Sequence, residues 1–334
     1  MTKAHAVAFT EIERAELVSI DLPDLQEGEV LVRTEVSAVS PGTEMRCFAG
    51  KQPDSVALPY IPGYSLAGIV TAVTPNAPVS VGQRVFASGT RRASINLQWG
   101  GHVSHAIAGF GDVMPLPEGM PVRSAAISKL VAIALRGVRI CHPNATDSVV
   151  VVGLGPIGML SARLYRELGC RVLCVDLEPA RVAIARKAGM EATEVRGSIE
   201  ETVRAWAPEG VDVVADATGS PAVLPFSMAA LRQPAWGTSS VDGPKLVIQG
   251  SYPNSFTLPY QDAFRKELTI LMPRDTNPSL VRESISIIAE GRCMVDDLFT
   301  WFGDPVRAPE AYGLLQSDRS VMTAAFDWTA YGSP

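Results

Sequence analysis

Six residues, Gly153-Leu154-Gly155-Pro156-Ile157-Gly158, stand directly after the apolar run SVVVV and directly before a stretch of helical spacing. Their chemistry is that of a phosphate cradle. The first glycine allows a tight turn, the second lets the backbone approach a pyrophosphate, and the third lets helix and strand pack closely. The helix that follows aims free N–H groups and the positive end of its dipole at the phosphates. Asp176 ends the run RVLCVD, 176 − 153 = 23 residues after the first glycine. That is close to the spacing of about 20 expected of a carboxylate that holds a ribose diol. A carboxylate there repels a 2′-phosphate and so favours NAD over NADP. Arg181 argues the other way, and Glu178 supplies a second acid that outweighs it. The expected cofactor-binding set is Gly153, Gly155, Pro156, Ile157, Gly158, Asp176, Leu177 and Arg181, with Thr218 and Gly219 at the end of VDVVADATG and Gly250 and Ser251 in KLVIQGS.

A second place for chemistry is Pro62-Gly63-Tyr64-Ser65, a turn that opens into an apolar run. A phenol buried there must find a partner or cost the fold stability. The residue types that bind metals are poorly placed. The five cysteines, Cys47, Cys141, Cys170, Cys174 and Cys293, are odd in number and form no C-x-x-C pair. His5 and His142 sit in terminal or turn contexts. His102 and His105 lie on one β segment at odd spacing, which puts their side chains on opposite faces.

The elements that must position these residues fall into two patterns. From residue 1 to about 120 the chain alternates short β-rich runs (AHAVAF, EVLVRTEVSAV, LAGIVTAV, GQRVFAS, GGHVSHAIA) with glycine and proline, which reads as a compact, barrel-like β domain. From 121 to 274 apolar strands alternate with helical stretches, which predicts a parallel sheet with right-handed crossovers. Residues 275–334 supply two helices, in SLVRESISIIAEG and RAPEAYGLLQS, and a last strand in VMTAAFDW, and are expected to return to the first domain. The chain has 334 residues with a net charge of −6, and its basic residues are scattered, which excludes the footprint of a nucleic-acid binder. No apolar run approaches the roughly 20 residues needed to span a bilayer. The start MTKAHAVAFTEIERAEL has no signal-peptide pattern, so a cytoplasmic protein without membrane or nucleic-acid partners is expected.

A β-rich first part, a segment carrying GLGPIG and DATG, and a return to the first part together resemble the medium-chain dehydrogenase/reductase superfamily over essentially the whole chain. VSPGTE at 39–44, PGYSLAG at 62–68 and the ending FDW are most similar to a zinc-alcohol-dehydrogenase-like branch that includes bacteriochlorophyllide a dehydrogenase. The resemblance implies an α/β fold, with a GroES-like β-rich catalytic domain and a doubly wound Rossmann domain for the cofactor. Zinc members carry Cys-Gly-Ser/Thr-Asp and Gly-His-Glu. The matching stretches here are Ser40-Pro41-Gly42-Thr43-Glu44 and Gly63-Tyr64-Ser65, and the third ligand position holds Lys129. The four-cysteine lobe of the family is absent. Catalytic zinc takes about three protein ligands, and Glu44 alone does not supply them, so no metal ligand is assigned and no zinc is expected.

Without a Lewis acid, a positioned acid/base or a fixed charge must manage the proton of the alcohol. The alignment implies that Tyr64 and Lys129 converge on the space the metal vacated, where a lysine charge favours the phenolate. Thr43 matches the hydroxyl that relays a proton in zinc members, Glu44 is the neighbouring acid, and His102 is a third candidate. The structural alternative is that Tyr64 bonds a loop and Lys129 pairs with Glu44 in place of the metal. Trp99 and Phe110 are candidates to line an apolar pocket. The expected function is a zinc-independent, NAD(H)-dependent interconversion of a secondary alcohol and a ketone on a small molecule such as a hydroxyethyl-chlorin, a polyol or a cyclitol. An enoyl or quinone reductase, or a dinucleotide-binding redox sensor without turnover, are the alternatives. A homodimer is expected from the superfamily, built on the strand after KLVIQGSY at the sheet edge.

Overall fold

The computed structural model describes residues 1–237, 243–252 and 255–332. It divides into two compact units, Met1–Leu130 with Asn277–Pro334, and Val131–Thr276. The first boundary falls ten residues later than the expected 120, for a local reason. The helix Val122–Ala126 belongs to the first unit, where the Ala126 carbonyl accepts a hydrogen bond from Ser65 Oγ at 2.5 Å. The long helical stretch around it is also two helices, Val122–Ala126 and Ser128–Cys141, broken at Ile127.

Unit Val131–Thr276 holds a six-stranded sheet. Its spatial order is Glu191–Glu194, Arg171–Asp176, Ser148–Val152, Val213–Asp216, Lys245–Ile248 and Thr269–Leu271, and every neighbouring pair is parallel. In chain order that is 3-2-1-4-5-6, the doubly wound arrangement, which reverses between the first and fourth strands and opens a crevice at their carboxyl ends. Val149, Val150 and Val151 are 0% exposed, because a parallel strand covered by helices on both faces must be apolar throughout. The helices Pro156–Glu167 and Pro179–Lys187 each begin on a proline, whose missing N–H is not needed at a first helical position.

The other unit is β-rich. A seven-stranded sheet includes Glu29–Ala38, Leu66–Val73, Arg84–Ala87 and Val113–Pro115, with His105–Gly109 paired to Glu29–Ala38. The GGHVSHAIA strand is shorter than its sequence suggests and starts at His105; residues 100–102 instead bond the 61–63 turn. A four-stranded sheet joins Arg14–Leu22, Thr2–Glu11, Tyr60–Ile61 and Asn96–Leu97. The chain's return is built into this unit: Phe299–Gly303 and Thr323–Asp327 extend the larger sheet, where Ala325 pairs with Ala38. They bring Trp301, Tyr312, Phe326 and Trp328 into one apolar cluster with Phe9, Phe48 and Tyr60. Among the described residues, no helix is long and apolar enough to cross a membrane.

Candidate active site and cofactor cradle

The glycine motif has the geometry its spacing predicts. Gly153 turns at φ +87°, which a side chain resists. A Cβ on Gly158 would lie 1.8 Å from the Gly153 carbonyl oxygen, so no other residue fits there. Gly155 differs, since a Cβ there would meet nothing within 4 Å. That open space lies at the N-cap of the helix Pro156–Glu167, where no side chain caps the free N–H groups. The arrangement fits a dinucleotide pyrophosphate. Asp176 Oδ2 accepts from Leu154 N at 2.6 Å and Oδ1 from Glu178 N at 2.8 Å, so the carboxylate also fixes the turn.

Glu178 departs from expectation. It is the N-cap of Pro179–Lys187, and its side chain accepts from Ala180 N at 3.4 Å, so it is spent on its own helix instead of serving as a second pocket acid. Arg181 Nη1 lies 3.9 Å from Asp176 Oδ2, which weakens the sequence argument against a 2′-phosphate. Leu177 is 68% exposed.

Thr218, Gly219, Gly250 and Ser251 gather at the same carboxyl end of the sheet. A Cβ on Gly153 would touch Thr218 Cγ2 at 3.0 Å, and one on Gly250 would lie 2.7 Å from Gly219 N. The residue that organises them was quoted in DATG but not singled out. Asp216, fully buried, accepts from Thr218 N (2.9 Å), Thr218 Oγ1 (2.6 Å), Ser227 Oγ (2.6 Å) and Tyr252 O–H (2.5 Å). Burial and the Asp216 charge push the Tyr252 phenol far above its ordinary pKa, which keeps it a donor.

The catalytic candidates lie in the β-rich unit. Tyr64 answers the question its position raises: it is 8% exposed and donates to Ser40 Oγ at 2.5 Å, with Thr43 Oγ1 at 3.4 Å. Lys129 Nζ lies 5.0 Å from the centre of the same ring. The structure thus brings Ser40, Thr43, Tyr64 and Lys129 together. Ser40 and Thr43 are placed by the short helix Pro41–Phe48, which begins directly after Ser40.

Glu44 and His102 have a different setting from the one expected. Glu44 is fully buried and accepts from Ser40 N (2.7 Å), His102 Nε2 (2.8 Å) and Tyr312 O–H (2.6 Å). Its carboxylate is therefore held by these three donors, and the Lys129–Glu44 pair is not formed. His102 precedes the strand, is 0% exposed, and packs edge-on to Phe326. Trp328 Nε1 donates to Ser37 Oγ at 2.8 Å, and the same oxygen is hydrogen-bonded to His102 Nδ1, also at 2.8 Å. This closed network makes His102, the third candidate acid, an interior residue. Tyr312 and Trp328 carry no sequence signal for this role, because their partners are some 270 and 290 residues away in the chain. The Cys47 thiol beside Glu44 is pushed up to about 12 by burial and that charge, so it stays protonated.

Trp99 and Phe110 also separate. Phe110 packs on the core cluster around Val30 and Ile107. Trp99 is 39% exposed, meets the Tyr64 ring edge-on at 5.3 Å, and has φ +74°. A bulky residue in that backbone region costs on the order of 1–3 kcal/mol. Among the described residues, no three of His, Cys, Asp and Glu form a group able to hold a metal. At the three positions aligned with zinc ligands stand a serine, a phenol and an ammonium, a donor set that does not suit zinc.

Residues 26–124 match the alcohol dehydrogenase GroES-like domain family, and residues 156–290 the zinc-binding dehydrogenase family. The chain is 31% identical to D-altritol 5-dehydrogenase of Agrobacterium fabrum over 64% of its length and 69% of that protein's. It is 24% identical to 2-desacetyl-2-hydroxyethyl bacteriochlorophyllide A dehydrogenase of Cereibacter sphaeroides, covering 94% and 95% of the two chains. Among solved structures, a zinc-binding dehydrogenase from Sinorhizobium meliloti 1021 bound to NADP superposes with a TM-score of 0.84 at 20% identity, over 98% of this chain and 100% of that one.

Proposed function

Because the chain belongs to the medium-chain dehydrogenase/reductase superfamily, we propose that it is a zinc-independent, NAD(H)-dependent oxidoreductase that interconverts a secondary alcohol and its ketone. One observation carries the zinc-independent part: the hydroxyl chain Tyr64–Ser40, 2.5 Å long, with Lys129 Nζ 5.0 Å from the phenol ring, stands at the positions aligned with zinc ligands. In the alcohol-oxidising direction, Tyr64 takes the hydroxyl proton as it hands its own to Ser40, whose proton passes on to solvent, and Thr43 holds the phenol oxygen in place. The ammonium of Lys129 favours the negative charge that develops on oxygen. A bound nicotinamide would supply the hydride-accepting chemistry, the overall balance being alcohol and NAD⁺ to ketone, NADH and one proton. Gly153, Gly155 and the N-terminus of Pro156–Glu167 would hold its pyrophosphate, and Asp176 its adenosine ribose.

D-altritol 5-dehydrogenase and the bacteriochlorophyllide enzyme support the alcohol–ketone reading, since the name of each describes oxidation of a hydroxyl-bearing substrate. Arg181, 3.9 Å from Asp176, would attract a 2′-phosphate that the Asp176 carboxylate repels. The test is elemental analysis with turnover of an alcohol panel in chelator. The protein is expected to purify without stoichiometric zinc and to keep its rate. One tightly held zinc per chain, lost together with activity, would defeat the reading.

A further inference from the structure

We propose that Arg46 is an anion-recognition residue of the candidate active site, and that the substrate carries a phosphate or carboxylate on the same molecule as its secondary alcohol. The inference rests on the reading of Tyr64 as the group that handles the proton, and adds to it the charge of what lies beside that oxygen.

Arg46 stands in the last turn of the helix Pro41–Phe48, three residues after Thr43. Residues three apart share one side of a helix, so Arg46 rises from the side whose Thr43 Oγ1 lies 3.4 Å from the Tyr64 hydroxyl. The side chain is partly buried, and its Nε donates to Gln52 Oε1 at 3.0 Å. That neutral contact takes one of the five N–H donors and fixes the direction of the fork. Among the described residues Arg46 forms no ion pair. Burial lowers its pKa, and the ionisable groups that offset this are the Cys47 thiol and the Tyr64 phenol, not a carboxylate.

The structural uses of a guanidinium here are already met by other groups. A cation in a last helical turn commonly serves the carbonyls there. In this helix those of Met45, Arg46, Cys47 and Phe48 accept from the N–H groups of Ala49, Lys51, Gly50 and Glu13, at 2.8–3.0 Å. The neighbouring acid, Glu44, is turned inward to Ser40 N, His102 and Tyr312. A charge taken partly out of water with no counter-ion costs stability, and a bound anion would offset that cost.

The chemistry of the fork sets the ligand. A guanidinium is planar, stays charged and offers paired N–H groups that match the oxygens of a phosphate or a carboxylate. Lys129 Nζ, 5.0 Å from the centre of the Tyr64 ring, adds a second cation near the same phenol. The resulting positive potential draws an anionic alcohol in preference to a neutral one.

The probes are D-glucitol, its 6-phosphate and D-gluconate, which share a chain of secondary alcohols and differ in the anion. Binding is measured by calorimetry with NADH saturating, so that the pyrophosphate cradle is filled, and turnover with NAD⁺. At least one of the two anions is expected to bind the parent about tenfold or more tightly than D-glucitol, and the two arms tell which oxoanion is read. Arg46→Met should reduce that preference about tenfold or more, with the loss in KM and not in kcat, and Arg46→Lys should restore part of it, since the charge is kept without the fork. Gln52→Leu releases Nε but leaves the guanidinium in place, and so guards against an Arg46 variant that fails to fold. It should lower the preference a few-fold at an unchanged melting temperature. Anions bound by the parent no more tightly than D-glucitol, or a preference that Arg46→Met leaves intact, overturns the proposal. So does a loss of NADH affinity in Arg46→Met with the preference kept, which would assign the arginine to the cofactor phosphates. Arg46-dependent anion binding without turnover of any of the three would sink the dehydrogenase reading and leave this one standing. Turnover of D-glucitol with no gain from either anion would do the reverse.

Discussion

Tyr64 is a phenol with a partner, and the chemistry proposed for it depends on whether that partner tunes it or only anchors it. Tyr64→Phe removes the proton-carrying group while keeping the ring that packs on Trp99. Turnover is expected to fall by about 100-fold or more with cofactor affinity nearly unchanged, the size typical of a lost general acid/base. A correctly folded variant that retains its rate would exclude the role. His105 gives a prediction of a different kind. Burial, and then the charges of Arg33 and His5, lower its pKa from 6.5 to about 4. The unfolded chain therefore binds a proton between those values that the folded chain refuses, so this residue's contribution to stability is complete above pH 6.5 and is lost as pH falls toward 4. Urea midpoints measured from pH 7 down to pH 4 should decline less steeply in His105→Gln than in the parent, and parallel curves would refute the assignment.

At the scale of elements, the strand Arg171–Asp176 delivers a carboxylate to the rim of the cofactor cradle, and the helix Pro179–Lys187 delivers Arg181 to within 3.9 Å of it. The carboxylate repels a 2′-phosphate and the guanidinium attracts one, and both reach the same place because strand end and helix start adjoin. Asp176 is the better placed of the two, since it is fixed by the N–H groups of Leu154 and Glu178. NADH should therefore bind more tightly than NADPH, and Asp176→Ser should shrink that ratio about tenfold or more. Equal affinities in the parent protein, measured by fluorescence titration, would count against the assignment. The short helix Pro41–Phe48 does the corresponding work in the β-rich unit. Glu44 on its first turn accepts from the Ser40 N–H and from two side chains of other segments. Depriving such a buried carboxylate of one donor costs about 1–3 kcal/mol.

For the whole molecule, the strand Thr269–Leu271 is the outermost of the six, paired with Lys245–Ile248 on one side. Ile270 within it is 38% exposed, and nearby Phe264 and Met272 are 54% and 61% exposed. An open strand edge flanked by apolar side chains suits self-pairing about a two-fold axis. A dimer is expected in light scattering at micromolar concentration, and Ile270→Lys should shift it toward monomer. A parent protein that is monomeric there would rule the arrangement out.

The sequence by itself determined the backbone of the cofactor cradle and the class of both units. Gly153, Gly158 and Asp176 were legible because the constraints on them are local: a positive φ, a Cβ that would strike the carbonyl five residues back, and a carboxylate at a strand end a fixed distance on. The strands were legible for a similar reason, since a run such as SVVVV suits burial on both faces. The meeting of Tyr64 with Thr43 and Lys129 followed from the family resemblance, but the partners of Glu44 and His102 were not legible. The sequence placed Glu44 as the acid beside Thr43 or a partner of Lys129, and His102 as a third candidate acid. Folding instead joins them to each other, to Tyr312 at a separation of 268 residues and, through Ser37, to Trp328. Glu178 was misread for the opposite reason, since its partner is its own helix. A carboxylate or an imidazole is chemically competent in many settings. Its role is decided by which donors and acceptors surround it and whether water can reach it, and for Glu44 and His102 those are set by segments that only the tertiary structure brings together.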